Sequence, residues 1–183
     1  MKRRRGFRRI AAMFTIAGMV AGCVMPLGHP ASVKAEAGQE LPPLLITEMV
    51  ADSTNIGSAD GYEFIEVYNN TDHPIDFKDY MLIYRYPGKN DEDLYWRPYE
   101  DVVIPPQGTM VFWGMTGPNE NTPVSEFNAN YGTNLVENET IVRIPGGLHN
   151  SRDRMIVVAT NTGHELVYAA YNQGRDDTNP DMG

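Results

Sequence analysis

The chain has 183 residues, 42% of them hydrophobic and 21% charged, with a formal net charge of −9. That usage is ordinary for a globular protein and excludes a wholly disordered, collagen-like or coiled-coil chain. A single cysteine, Cys23, excludes an intramolecular disulfide framework and any Cys-cluster zinc site.

Charge is unevenly distributed. Lys2, Arg3, Arg4, Arg5, Arg8, Arg9 and Lys34 precede the first acid, Glu36, so all 24 acidic residues lie beyond residue 35. Met1 to Arg9 is a basic segment and Ile10 to Leu27 an uncharged apolar one. A basic flank stays on the cytoplasmic side while the apolar run enters the translocon, so residues 1–35 read as a signal peptide. Pro26 and Gly28 break the run, and Val33 and Ala35 put small residues at −3 and −1, predicting cleavage between Ala35 and Glu36. The break and the Ala-rich exit favour cleavage over a permanent anchor. Val20-Ala21-Gly22-Cys23 offers a second route, a lipobox that leaves a lipidated Cys23. Against it, Val24 to Leu27 stays apolar where a lipoprotein turns polar. Both routes place the mature chain outside the cytoplasmic membrane, secreted or held at the surface through Cys23. A body without cysteine is indifferent to that oxidising space.

Residues 36–43 form a short linker ending in Pro42-Pro43, and residues 44–172 carry strand signals. Leu44 to Thr47 is a short apolar run. Tyr62 to Tyr68 alternates, with Ile65 and Val67 on one face and Phe64, Glu66 and Tyr68 on the other. Tyr80 to Tyr86 alternates again, with Tyr80, Leu82 and Tyr84 together facing the core. Thr109–Trp113, Thr140–Ile144, Arg154–Ala159 and Glu165–Tyr171 complete the set, rich in residues that suit a pleated, half-buried surface. Turn residues separate them: Asn69 to Asp72, Pro105 to Gly108, Pro145 to Gly147, and Asn161-Thr162-Gly163, which predicts a hairpin. One helix is expected, capped by Thr122, with Pro123 in its first position, Glu126 near its positive end and Gly132 as its stop. Val124, Phe127 and Tyr131 give it one face for docking on a sheet. Asp52 to Gly61 and Gly88 to Asp93 are expected as exposed loops, and residues 173–183 as a tail or linker. Short strands with turns every ten or so residues predict an all-β, antiparallel sandwich with one short helix.

Leu45-Ile46-Thr47-Glu48, Tyr62-Glu63-Phe64-Ile65-Glu66-Val67-Tyr68-Asn69, Pro74 to Leu82, Val103 to Gly108 and the strand closing near Tyr171 follow one another in this order. In order, spacing and residue type this resembles the lamin tail domain family over residues 44–172. The resemblance implies an immunoglobulin-like β-sandwich. In bacteria it implies a secreted or surface protein, in which such a domain often precedes a metallophosphoesterase or nuclease domain. It implies a non-catalytic interaction module without catalytic residues.

The residues themselves point the same way. His73, His149 and His164 stand beside turn residues without metal-ligand spacing. There is no nucleophile elbow and no P-loop. Glu63 and Glu66, three apart on a strand, face opposite sides and cannot share an acid–base site; Glu66 is expected at the rim, bonded to a nearby loop. Asp91-Glu92-Asp93 reads as a solvated tip. Asp177, Asn179 and Asp181 begin like a calcium loop, but Met182 occupies the required glycine position. No metal or other cofactor is expected. Arg143, Arg152 and Arg154 offer at most a small basic spot in an acidic chain, which disfavours direct binding to nucleic acid or adsorption to anionic lipid. Tyr95, Trp96 and Tyr99, in an irregular stretch, are the candidate interaction patch. Three functions follow: an extracellular module that binds a protein or envelope component; the accessory domain of an exported phosphoesterase or nuclease whose catalytic part is absent from this sequence; and a small enzyme in its own right, which lacks support from any motif. Membrane association is expected only through the signal or a lipid on Cys23.

Overall fold

A computed structural model describes residues 41–88 and 93–172. The expected signal peptide with Cys23 and Ala35, Glu36 and the 36–40 part of the expected linker, Asp91, Glu92, and the expected 173–183 tail with Asp177 to Asp181 lie outside the described residues.

The alternating segments form two four-stranded sheets. One has the order β1 (Leu44–Val50), β4 (Phe64–Asn69), β9 (Thr109–Met115), β10 (Ile141–Pro145). The other has the order β12 (Glu165–Tyr171), β11 (Arg154–Thr160), β6 (Tyr80–Arg85), β7 (Leu94–Trp96). Two ribbons complete the described strands: β2 (Asn55–Ile56) with β3 (Ala59–Asp60), and β5 (Ile75–Asp76) with β8 (Val103–Ile104). The all-β, immunoglobulin-like sandwich is thus what the strand pattern and the resemblance predicted. Ile65, Val67, Met110, Phe112, Val142 and Ile144 from the first sheet meet Leu82, Tyr84, Trp96, Ile156 and Val158 from the second in a buried core. The ring of Phe77 packs 4.6 Å from that of Phe112 within it.

One strand pair departs from the antiparallel rule. β10 runs parallel to β9, Ile141 opposite Val111 and Pro145 opposite Met115. A parallel pair needs a long crossover, and the only described α-helix, α1 (Val124–Tyr131), lies in that connection. Its Phe127 and Tyr131 join Tyr62, Phe64 and Trp113 in a second apolar cluster. Phe64, on the opposite side of β4 from the core-facing Ile65, is therefore buried too. Gly132 ends the helix in the left-handed region (φ 71°), its N–H donating to the Asn128 carbonyl. The start differs from expectation. Pro123 occupies the cap position in an extended conformation with no side-chain cap bond. Thr122 is buried, and its carbonyl accepts a bond from Arg143 Nη2.

Two other expectations change. The Asp52–Gly61 segment is no free loop: it contains the β2–β3 ribbon, and Ser53 Oγ accepts the Tyr62 N–H while the Ser53 N–H donates to Asp60. Asp93, read as part of a solvated tip, is almost wholly buried in an ion pair with Arg85 (2.9 Å). The Asn161–Gly163 hairpin forms as expected, Gly163 N–H closing on the Thr160 carbonyl.

The outer side of the second sheet carries a third apolar group, Met81, Ile83, Val157 and Ala159. Arg85 lies opposite Met155 at one end of this face, and Glu165 opposite Ala159 at the other. Arg85 donates two bonds to the Glu165 carboxylate (2.7 and 3.1 Å), so the pair crosses the face that holds Ile83 and Val157. Arg85 holds the Glu165 carboxyl below its ordinary pKa. This contribution is present above the pKa of a free glutamate and fades as acid takes the pH down through the lowered folded value. Arg85→Met keeps the aliphatic cover but leaves Asp93 buried without its cation. The expected loss is about 3 kcal/mol of unfolding free energy, read by urea denaturation at neutral pH.

Candidate interaction surface

The expected patch divides into three different environments. β7 pairs with β6, so Tyr95 and Trp96 are on a strand at the sheet edge and not in an irregular stretch. Strand alternation sends them to opposite faces. Trp96, opposite Leu82, is 5% exposed and stacks on Tyr84 at 4.7 Å with an interplanar angle of 12°. It belongs to the core and leaves the patch. Tyr99 is 53% exposed, and its N–H donates to the Arg143 carbonyl of β10, tying the chain beyond β7 to the other sheet. Tyr95 is 63% exposed and opposite Ile83.

The strand registers supply a neighbour that sequence reading missed. Tyr168 pairs with Val157, Val157 with Ile83, and Ile83 with Tyr95. These four residues form one row across all four strands of the second sheet. Tyr168, 57% exposed, stands at one end and Tyr95 at the other, with the aliphatic pair buried between them. Three strand spacings separate the two tyrosines at backbone level, about 14 Å. Two exposed amphipathic rings thus flank an aliphatic pair that is itself covered, on the face that the Arg85–Glu165 pair crosses. Tyr168 falls within the strand expected over Glu165–Tyr171, but only the registers reveal that Tyr95 shares its row.

The polar candidates serve the fold. Arg143 lies over the Trp113 ring (4.8 Å), donates to the Glu137 carboxylate and to the Glu120 and Thr122 carbonyls, and so is committed internally. Arg154 is buried, with its guanidinium 4.3 Å from the Tyr86 ring centroid. The small basic spot therefore does not assemble as a surface. His73 pairs with the adjacent Asp72, while His149 Nδ1 accepts the Ser151 and Arg152 N–H groups. Glu66 accepts from Thr47 Oγ1 at 2.6 Å, a bond to strand β1 and not to a loop. Among the described residues no group of three or more His, Cys, Asp or Glu is placed to hold a metal ion. Among them, too, no helix is long and apolar enough to cross a membrane.

Glu63 is the unexpected group. It is 2% exposed, and its Oε2 accepts the Leu148 N–H at 3.0 Å while Oε1 has no partner. Burial outweighs that bond and, with Asp60 and Asp52 nearby, pushes the carboxyl up to about 8. A signal was present in the sequence: Glu63 has the parity of Ile65 and Val67, the inward side of the strand that follows.

Two stacked sheets with a helix-covered outer side, and polar groups consumed by the scaffold, define an immunoglobulin-like domain. Residues 38–175 match the Lamin Tail Domain family, and the chain belongs to that family of non-catalytic immunoglobulin-like domains. It is 45% identical over 136 residues to the uncharacterized protein YvnB of Bacillus subtilis (strain 168), an alignment covering 73% of this chain and 11% of that protein. The chain thus spans about a tenth of the length of this relative.

Proposed function

We propose that this domain is an extracellular interaction module, docking a protein or cell-envelope component on the outer face of its second sheet. The observation that carries the reading is the row Tyr168–Val157–Ile83–Tyr95, whose two tyrosines stand exposed at its ends over a buried aliphatic middle. The basic and apolar N-terminal segments support export. Excess negative charge supports a partner other than nucleic acid or anionic lipid.

Cosedimentation of the purified chain with isolated Bacillus subtilis cell walls tests the surface. The Tyr95→Ser, Tyr168→Ser double variant is expected to bind at least tenfold more weakly, with little change in thermal midpoint, because both rings are largely solvent-exposed. Equal binding by the variant, or none by the unaltered chain, counts against the reading.

The much greater length of YvnB favours a second reading, in which the module positions a catalytic domain of a longer exported polypeptide, such as a phosphoesterase or nuclease. Coding sequence beyond Gly183 that supplies metal-binding Asp, His and Asn residues is the expected finding there.

A further inference from the structure

The connection from β10 to β11 crosses one end of the sandwich as a strap, residues 146–149. Backbone N–H groups at three of its residues fasten it, and the His149 carbonyl also accepts from Asn172 Nδ2 at 2.9 Å. Gly146 N–H donates to the Met115 carbonyl at 3.0 Å. Leu148 N–H donates to Glu63 Oε2, and His149 N–H donates to the hydroxyls of Tyr84 and Tyr171, each at 3.1 Å. Only the middle contact uses an ionisable group from the first sheet's side of the core.

The fit around that group is close. A Cβ on Gly147 would stand 2.3 Å from Glu63 Oε2 and 2.7 Å from Thr116 Cγ2. A Cβ on Gly146 would stand 2.8 Å from the Trp96 ring. The small void that Glu63 lines with Trp96, Phe112, Gly114 and Ile144 has no room for a water molecule. Glu63 Oε1 therefore has neither a protein partner nor space for hydration. A neutral carboxyl tolerates that site far better than a carboxylate does.

We propose that Glu63 is a proton-held latch: its neutral carboxyl keeps the 146–149 strap closed over Trp96, and loss of the proton lets water in and frees the strap. The surrounding groups reinforce this. Asp60 of β3 and Asp52 of the β1–β2 connection both disfavour a second negative charge at Glu63. Tyr171 of β12 and Tyr131 of α1 feel the Glu63 charge, and burial holds both phenols well above their ordinary pKa, so they stay neutral. Tyr84 of β6 presents its hydroxyl to His149 N–H, and His149 uses its own Nδ1 within the following turn. The Arg154 guanidinium, where β11 begins, lies over Tyr86 and Tyr84.

The sign of the effect follows from the raised carboxyl, about 8 with the strap closed against 4.5 for a free glutamate. The closed state binds the proton more tightly, so acid fastens the strap. Opening grows as pH rises from about 4.5 toward about 8 and levels off beyond, where both states are ionised.

Amide hydrogen exchange of Leu148 in the full chain, corrected for intrinsic exchange, reads the strap directly. The opening constant is expected to rise up to tenfold per pH unit between pH 5 and pH 8 and then flatten. Glu63→Gln keeps an acceptor for Leu148 N–H and cannot ionise, so its opening constant is expected to be independent of pH. Gly147→Ala, wedged against Glu63, is expected to leave Leu148 weakly protected at every pH. A protonated-carboxyl infrared band present at pH 6.5 and absent from Glu63→Gln gives a second readout on the unaltered chain. Flat Leu148 opening in the unaltered chain, the same pH rise in Glu63→Gln, or no such band overturns the proposal.

Discussion

Asn69→Asp is expected to destabilise the domain by about 4 kcal/mol at neutral pH, although it replaces one NH2 group by an oxygen. Asn69 is fully buried at the end of β4. Its Nδ2 donates to the carbonyls of His73 (2.8 Å), Ile104 (3.1 Å) and Pro105 (3.0 Å). Its Oδ1 accepts the N–H and the hydroxyl of Thr71 at 2.9 and 2.7 Å. One amide thus joins the turn after β4 to the segment leading from β8 to β9. A carboxylate there has no proton to offer and faces three carbonyl oxygens in the interior. Lowering the pH to 4 returns one donor, so part of the loss should be recovered. Urea denaturation at pH 7 and pH 4, each against the unaltered chain, measures both effects. A loss below about 1 kcal/mol at pH 7 would show that the turn can do without this junction.

Trp113→Ala is expected to cost about 3–5 kcal/mol, the usual range for removing a large buried aromatic ring. Trp113 is fully buried, lies 5.0 Å from the Phe127 ring, stacks on Tyr62, and supports the Arg143 guanidinium on one face. Its indole N–H donates to the Gly61 carbonyl at 2.9 Å. Removing it takes away the floor on which α1 rests, so amide exchange in Val124–Tyr131 should accelerate more than exchange in β11. Trp113→Phe is expected to be milder. It keeps a ring in the cluster, and the Gly61 carbonyl retains its bond from Asn119 Nδ2. Equilibrium denaturation gives the two losses and hydrogen exchange their location. Uniform acceleration across the domain would mean that the helix does not depend separately on this ring.

Local patterning already determined the seven longer strands, β1, β4, β6 and β9 to β12, but read the short β2, β3 and β7 as loop or irregular chain. Alternation put Ile65 and Val67 on the core side of β4, and Leu82 and Tyr84 on the core side of β6, because successive side chains of an extended backbone must take opposite faces. Turn chemistry placed the 161–163 hairpin, and Gly132 placed the end of α1, since each depends on neighbours only a few residues away. The order of the motifs likewise marked the family. Tertiary structure alone decided what lies opposite each strand. It set β10 parallel to β9 by routing the connection through α1, and it separated Trp96 from Tyr95 by pairing β7 with β6. It joined Tyr95 to Tyr168 through two intervening strands and closed a distant strap on Glu63. Periodicity reports which face a side chain takes, whereas burial, proton affinity and shared surfaces depend on contacts between residues far apart in the chain.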